Sequence, residues 1–217
     1  MNATRRPLPA LEALAALREG NARFTKNLRS IDALASQARR EALAEGQFPD
    51  AIILSCADSR VPSEIVFDCG LGDLFVCRVA GNVCAPSLVG SVEFAAATFG
   101  TELVVVMGHT RCGAVKATVD ALASPDQELS ENIRDIVERI RPAILPVLEE
   151  PMSAADRLRL ATRANVLHSV DHLRHGSRVL EERIAAGKLV VVGAEYALET
   201  GEVDFFEVPG GLRTVAA

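Results

Sequence analysis

Four short runs, residues 51–55, 74–79, 102–107 and 189–192, are apolar with little polar alternation, and they constrain the fold of this chain more than any other feature. A strand with one wet face alternates polar and apolar residues, whereas one that is apolar throughout is covered on both faces, as in a parallel sheet. Helical stretches lie between the runs: 62–67, 89–99, a run starting near Gly113, and 161–186 with interruptions. Strands alternating with helices imply an α/β fold with a mostly parallel central sheet flanked by helices. The last candidate strand, 203–208, follows a Thr200-Gly201 turn and is expected as an antiparallel edge strand.

The first forty-odd residues read as a helical arm. Leu11, Leu14, Leu17 and Phe24 approximate one helical face, and a second helix is expected from about Ile31 to Ala44, ending at Gly46. This pair can pack on its own domain or embrace a partner subunit. Residues 124–152 carry Pro142, Pro146 and Pro151 and read as an irregular helical excursion striped by Ile133, Ile136, Val137, Ile140 and Ile144. The 217 residues are expected to form one domain, an arm over 1–45 and an α/β core with a C-terminal extension over 46–217. A net charge of −6 argues against a nucleic-acid partner. The longest apolar runs are far short of a membrane span, and the N-terminus lacks an uninterrupted apolar stretch, so no membrane association and a cytoplasmic location are expected. In a reducing compartment, five cysteines point to metal binding, catalysis or burial rather than disulfides.

Two motifs sit immediately after two of the strands: Ser55-Cys56-Ala57-Asp58-Ser59-Arg60 and Gly108-His109-Thr110-Arg111-Cys112-Gly113. In parallel sheets, sites collect outside the carboxyl ends of strands, so both motifs point to one crevice. The two residues between His109 and Cys112 let a turn present both side chains to one ion, and Cys56 can supply a third ligand. Two thiolates and one imidazole suit zinc, and three protein ligands leave a tetrahedral position open for a hydroxide nucleophile. A closed structural site is the alternative, with Cys69, Cys77 or Cys84 as a fourth ligand. Asp58 and Arg60 lie two and four residues beyond Cys56, close enough to pair beside the metal.

The C-x-D-S-R motif followed by G-H-x-x-C-G resembles the β-class carbonic anhydrases. The likeness includes Gly20-Asn21-Ala22-Arg23-Phe24, Asp73-Leu74-Phe75-Val76, Arg78-Val79-Ala80-Gly81-Asn82 and Gly90-Ser91-Val92-Glu93-Phe94-Ala95. It continues through Gly187-Lys188-Leu189 and Tyr196-Ala197-Leu198-Glu199-Thr200-Gly201. The resemblance implies one Zn2+ per chain on Cys56, His109 and Cys112 and reversible hydration of CO2 to bicarbonate. It implies that Asp58, paired with Arg60, orients the hydroxide, and that in some members the equivalent aspartate instead becomes the fourth ligand. Gln47 stands where a plant-like subgroup carries a substrate-contacting glutamine. Phe75, Ala80 and Phe94 fall where the family lines its CO2 pocket, although core packing explains each equally well; Phe94 replaces a frequent Tyr. The Gly113 N–H would face substrate, and the pocket would be shared across a homodimer or larger homo-oligomer, such as a homotetramer.

His168 and His172 are four apart on an expected helix, with His175 beyond, a spacing that suits a relay as well as an ordinary exposed face. Cys69, Cys77 and Cys84 depart from the family's usual pattern, and Cys77 reads as a buried strand thiol. Rival readings are a carbonyl sulfide or carbon disulfide hydrolase on the same scaffold, and a zinc or redox-sensing protein without turnover. A nucleotide-binding protein is excluded by the lack of a glycine-rich loop after the first strand.

Overall fold

The computed structural model describes residues 6–28, 36–124, 128–149 and 151–207. Five strands form one sheet: β1 (Ala51–Ser55), β2 (Leu74–Arg78), β3 (Leu103–His109), β4 (Val190–Tyr196) and β5 (Val203–Glu207). Their order is β2-β1-β3-β4-β5, with β1 to β4 parallel and β5 antiparallel at the edge. The helices are α1 (Ala10–Thr25), α2 (Gln37–Leu43), α3 (Ser63–Val66), α4 (Pro86–Phe99), α5 (Gly113–Ala123), α6 (Glu131–Leu148), α7 (Ala154–His175) and α8 (Arg178–Ala185). The expected parallel sheet, flanking helices and antiparallel edge are all present.

The non-alternating strands bury both faces. Ile52, Leu54, Val104, Val106 and Val191 meet Val92 and Ala95 of α4, Val166, Val170 and Leu173 of α7, and Leu180 of α8. Ala51, Ile53, Leu103, Val105, Met107 and Val192 turn the other way, against Ala13, Leu14 and Leu17 of α1 and Val66 of α3. The arm helix α1 therefore packs on its own sheet. Asn21 fastens it there: its side-chain amide donates to the carbonyls of Val66 (3.2 Å) and Gly201 (2.8 Å), and its oxygen accepts from the Val203 N–H (2.9 Å).

Several boundaries differ from expectation, each for a physical reason. β3 and β4 run on to His109 and Tyr196, because β3 lies between two strands and its ladder continues through the Gly108–Glu195 and His109–Tyr196 pairs. α4 begins at Pro86, since proline is tolerated in a helix's first turn, where its missing N–H has no intrahelical role. The irregular segment contains one continuous helix, α6, with Pro142 and Pro146 inside it. Both prolines are exposed while Val137, Ile140 and Ile144 are buried, so water can satisfy the carbonyls the prolines leave unbonded. For the second arm helix, α2 supplies the part from Gln37 to Leu43; residues 31–35 and Val208 lie outside the described residues.

Gly20 of α1 faces the chain after α3 so closely that an added Cβ would lie 1.9 Å from the Phe67 carbonyl oxygen. Alanine normally stabilises a helix interior relative to glycine, but backbone cannot yield as a flexible side chain can. Gly20→Ala is therefore expected to destabilise the protein by about 1–3 kcal/mol through overpacking, read as a lower midpoint in thermal or urea unfolding.

Candidate active site

β1 and β3 are adjacent and parallel, so their carboxyl ends lie side by side. Cys56 follows β1, His109 is the last residue of β3, and Cys112 is the N-cap of α5. Their ligand atoms all lie within 4.8 Å of one another, the three residues are buried, and the two Sγ atoms are 4.0 Å apart. This is the one such group of three potential metal donors among the described residues. His109 Nδ1 lies 2.9 Å from the Thr110 carbonyl, which can only accept, so Nδ1 carries the proton. Nε2 is then a bare lone pair, buried and without a hydrogen-bond partner. A buried acceptor left in this way is costly unless something binds it, and its neighbours are two sulfurs: the donor set fits a borderline-soft cation such as zinc.

The two thiols behave as a pair. Cys56 is driven well below the ordinary thiol range, chiefly by the hydrogen bond from Cys112 and further by its neighbours, including the N–H groups of Asp58 and Gly81, both 3.4 Å from Sγ. Cys112 is correspondingly driven up by that hydrogen bond, by burial and by the Cys56 charge, although N–H groups of Val115 and Ala114 at the start of α5 favour its thiolate. A bound cation would relieve the charge repulsion that raises Cys112.

Asp58 borders this cluster without joining it. Its Oδ2 is 3.9 Å from His109 Nε2. Arg60 grips the carboxylate with Nε at 2.9 Å and the backbone N–H at 3.0 Å on Oδ1, and with Nη2 at 2.7 Å on Oδ2. These bonds hold the Asp58 carboxyl well below the usual range, so it is ionised near neutrality. Arg78, given no role by sequence reasoning, braces the loop by donating to the carbonyls of Cys56 (3.1 Å) and Asp58 (2.6 Å).

The ligand turn has its own constraints. Arg111 takes a left-handed φ of 55° between His109 and Cys112, a conformation costing a non-glycine residue roughly 1 kcal/mol. Gly81, at φ 70°, lets the chain pass under the site; a Cβ there would be 2.7 Å from Ile140 Cδ1. Gly108 is similarly confined, with Val166 Cγ2 2.6 Å from a Cβ position. Thr110 is tied to the loop after β4, its hydroxyl accepting from the Leu198 N–H at 3.0 Å. A cleft of about 310 Å³ beside the site is lined by Arg60, Arg111, Tyr196, Leu198 and Glu199.

The expected pocket residues divide. Ala80 immediately precedes Gly81, whose N–H bonds Cys56, and Gly113 immediately follows Cys112, with open space where its Cβ would be. Phe75, on the β2 edge strand, stacks with Phe94 (6.4 Å between ring centroids) and Phe99 (6.0 Å), and Phe94 is 53% exposed. Gln47 is exposed and precedes β1, at the opposite end of that strand from Cys56. Within one chain it does not approach the ligand cluster.

His168 and His172 line a separate cavity of about 170 Å³ with Cys84, Glu138 and Arg139, while His175 pairs with Asp171. The three other cysteines are free thiols that do not join the ligand group. Burial pushes the Cys77 and Cys84 thiols up to about 11 and that of Cys69 up to about 12. Cys84 donates to the Ser169 carbonyl and Cys69 to that of Phe67.

Comparison with known proteins adds an independent line. The carbonic anhydrase family model matches residues 51–203. Carbonic anhydrase 2 of Mycobacterium tuberculosis is 42% identical over 187 residues, covering 86% of this chain and 87% of that protein. The carbonic anhydrase of Mycolicibacterium smegmatis is 40% identical over 189 residues, covering 87% and 89%. Among solved structures, the β-carbonic anhydrase CafA of Aspergillus fumigatus superposes with a TM-score of 0.71 at 25% identity, covering 90% of this chain and 89% of that one. The β-carbonic anhydrase CcaA shares the fold, with a TM-score of 0.72 at 24% identity, covering 92% and 94%. The chain belongs to the β-carbonic anhydrase family.

Proposed function

We propose that this enzyme hydrates CO2 reversibly to bicarbonate and a proton, with one zinc ion held by Cys56 Sγ, His109 Nε2 and Cys112 Sγ. The observation that carries the reading is the bare, buried Nε2 beside two thiols, with the Arg60-clamped Asp58 at its margin. Zinc, when bound, supplies a Lewis acid that makes hydroxide available from water near neutral pH, the role it has in carbonic anhydrases with three histidine ligands.

The protein's own residues do the rest. Arg60 occupies both oxygens of Asp58 and so would keep the carboxylate from joining Cys56, His109 and Cys112 as a further ligand. Oδ2, facing His109, retains a lone pair that accepts the hydrogen of the nucleophile and aims its oxygen lone pair at substrate carbon. The Gly113 N–H, in the first turn of α5, has no intrahelical partner and can donate to a substrate oxygen. Water plus CO2 gives bicarbonate plus one proton released to solvent.

The reading includes a homodimer or larger assembly. Exposed Phe94 and its aromatic partners lie beside the β2 edge, and Gln47 could reach a ligand cluster only from a second chain, as the plant-like pattern requires. Among the described residues no helix is long and apolar enough to cross a membrane.

Stopped-flow CO2 hydration, with carbonyl sulfide hydrolysis assayed in parallel, tests the activity; faster turnover of the sulfur compound would overturn the substrate assignment. Arg60→Ala should keep its zinc while kcat/KM for CO2 falls about 100-fold or more, within the range for losing an acid–base or orienting group. Undiminished activity in that variant would remove Arg60 from the mechanism. Two anionic thiolates place more negative charge at the site than neutral imidazoles do, so they make deprotonation of water harder. Asp58 is already ionised well below this range. Activity should therefore rise from neutral to mildly alkaline pH, and a flat or falling profile would contradict the ligand assignment.

A further inference from the structure

Thr110 lies between the two ligand residues of the turn, and its carbonyl accepts from His109 Nδ1 at 2.9 Å, on the side of the ring away from the ligand atom Nε2. Three other bonds hold it. Its backbone N–H donates to the Tyr196 carbonyl at 3.0 Å, and its hydroxyl accepts from the Leu198 N–H at 3.0 Å. The same hydroxyl donates to Glu199 Oε2 at 2.9 Å, while Glu199 Oε1 receives Arg111 Nε at 2.7 Å. One carboxylate from the loop after β4 thus grips both residues that lie between His109 and Cys112.

An ion pair as exposed as Arg111–Glu199, at 72% and 45%, contributes little by itself. The consequence lies in the hydroxyl. A threonine hydroxyl has one hydrogen, and here Glu199 takes it, which leaves the oxygen's lone pair for Leu198. The direction of the side chain, the plane of the Thr110 peptide and the carbonyl that fixes the His109 tautomer are then set together. The hydrogen bond from Thr110 is also the main reason the Glu199 carboxyl sits below the usual range.

We propose that Glu199 is a positioning residue for the metal centre, acting through Thr110 and Arg111 to orient His109 and Cys112. The inference rests on the zinc reading above. Groups that orient metal ligands typically change metal affinity about 10–100-fold when removed, and retention of zinc is therefore the readout.

The test uses the zinc-loaded enzyme. Zinc stoichiometry is measured first, and zinc loss to an excess of a chromogenic chelator is then timed. Glu199→Ala and Thr110→Val should release zinc about tenfold faster or more, whereas Thr110→Ser, which keeps the hydroxyl, should stay within about threefold of wild type. The cobalt-substituted forms should follow suit, with shifted visible bands for Glu199→Ala and an unshifted spectrum for Thr110→Ser. If Thr110→Val does not fold, Glu199→Gln decides. Its amide oxygen can still accept from Thr110, so release should stay within about threefold, and acceleration equal to that of Glu199→Ala would overturn the route through Thr110. Release within twofold of wild type in Glu199→Ala, or equal acceleration by Thr110→Ser and Thr110→Val, would overturn the proposal. A wild type that holds no zinc overturns the underlying reading, and the stoichiometry shows this before any variant is compared.

Discussion

Burial of His109 with Nδ1 already committed and Nε2 bare is the constraint from which the rest of the site follows. An unpaired buried acceptor costs about 1–3 kcal/mol, and the two thiols beside it, with Sγ atoms 4.0 Å apart, are close enough to share one cation with it. A cation answers all three groups at once. The sheet supplies the meeting place, because parallel pairing of β1 with β3 brings Cys56 level with the end of β3, and a tight turn returns Cys112 to the same point.

Around this centre the protein spends its polar interactions on backbone rather than on the ligands directly. Arg78 secures the carbonyls of the Cys56 loop, Asn165 donates to the Gly81 carbonyl at 2.7 Å, and Thr110 is bound to the loop after β4. Each fixes a segment that carries a ligand or an N–H directed at a sulfur. Asp58 and Arg60 form the exception, a charge pair at the margin of the cluster in which Arg60 holds both carboxylate oxygens.

Much of this was legible in the chain. Apolar runs without alternation specified buried parallel strands, and two motifs at strand ends placed Cys56, His109 and Cys112 together. Asp58 and Arg60 could be paired because they lie two residues apart. Relations across long sequence distances were not legible. Thr110 and Glu199 are 89 residues apart, and Asn21 meets Val203 across 182. Thr110, Glu199 and Asn21 lie inside blocks that carried the family likeness, yet spacing along the chain gives no hint of which residues touch. The prolines of α6 misled for a local reason: they signal interruption, but on an exposed helical face water offsets the lost bonds. Gln47 illustrates another limit, since its place at the far end of β1 acquires meaning only with a second chain.

The central claim concerns which atoms hold the metal, and X-ray absorption at the zinc edge of the purified enzyme tests it most directly. The account predicts two sulfur scatterers at about 2.3 Å and two nitrogen or oxygen scatterers at about 2.0–2.2 Å. A shell of three or four sulfurs would contradict it, because another cysteine would then have closed the site. Absence of zinc from fully active enzyme would contradict it outright.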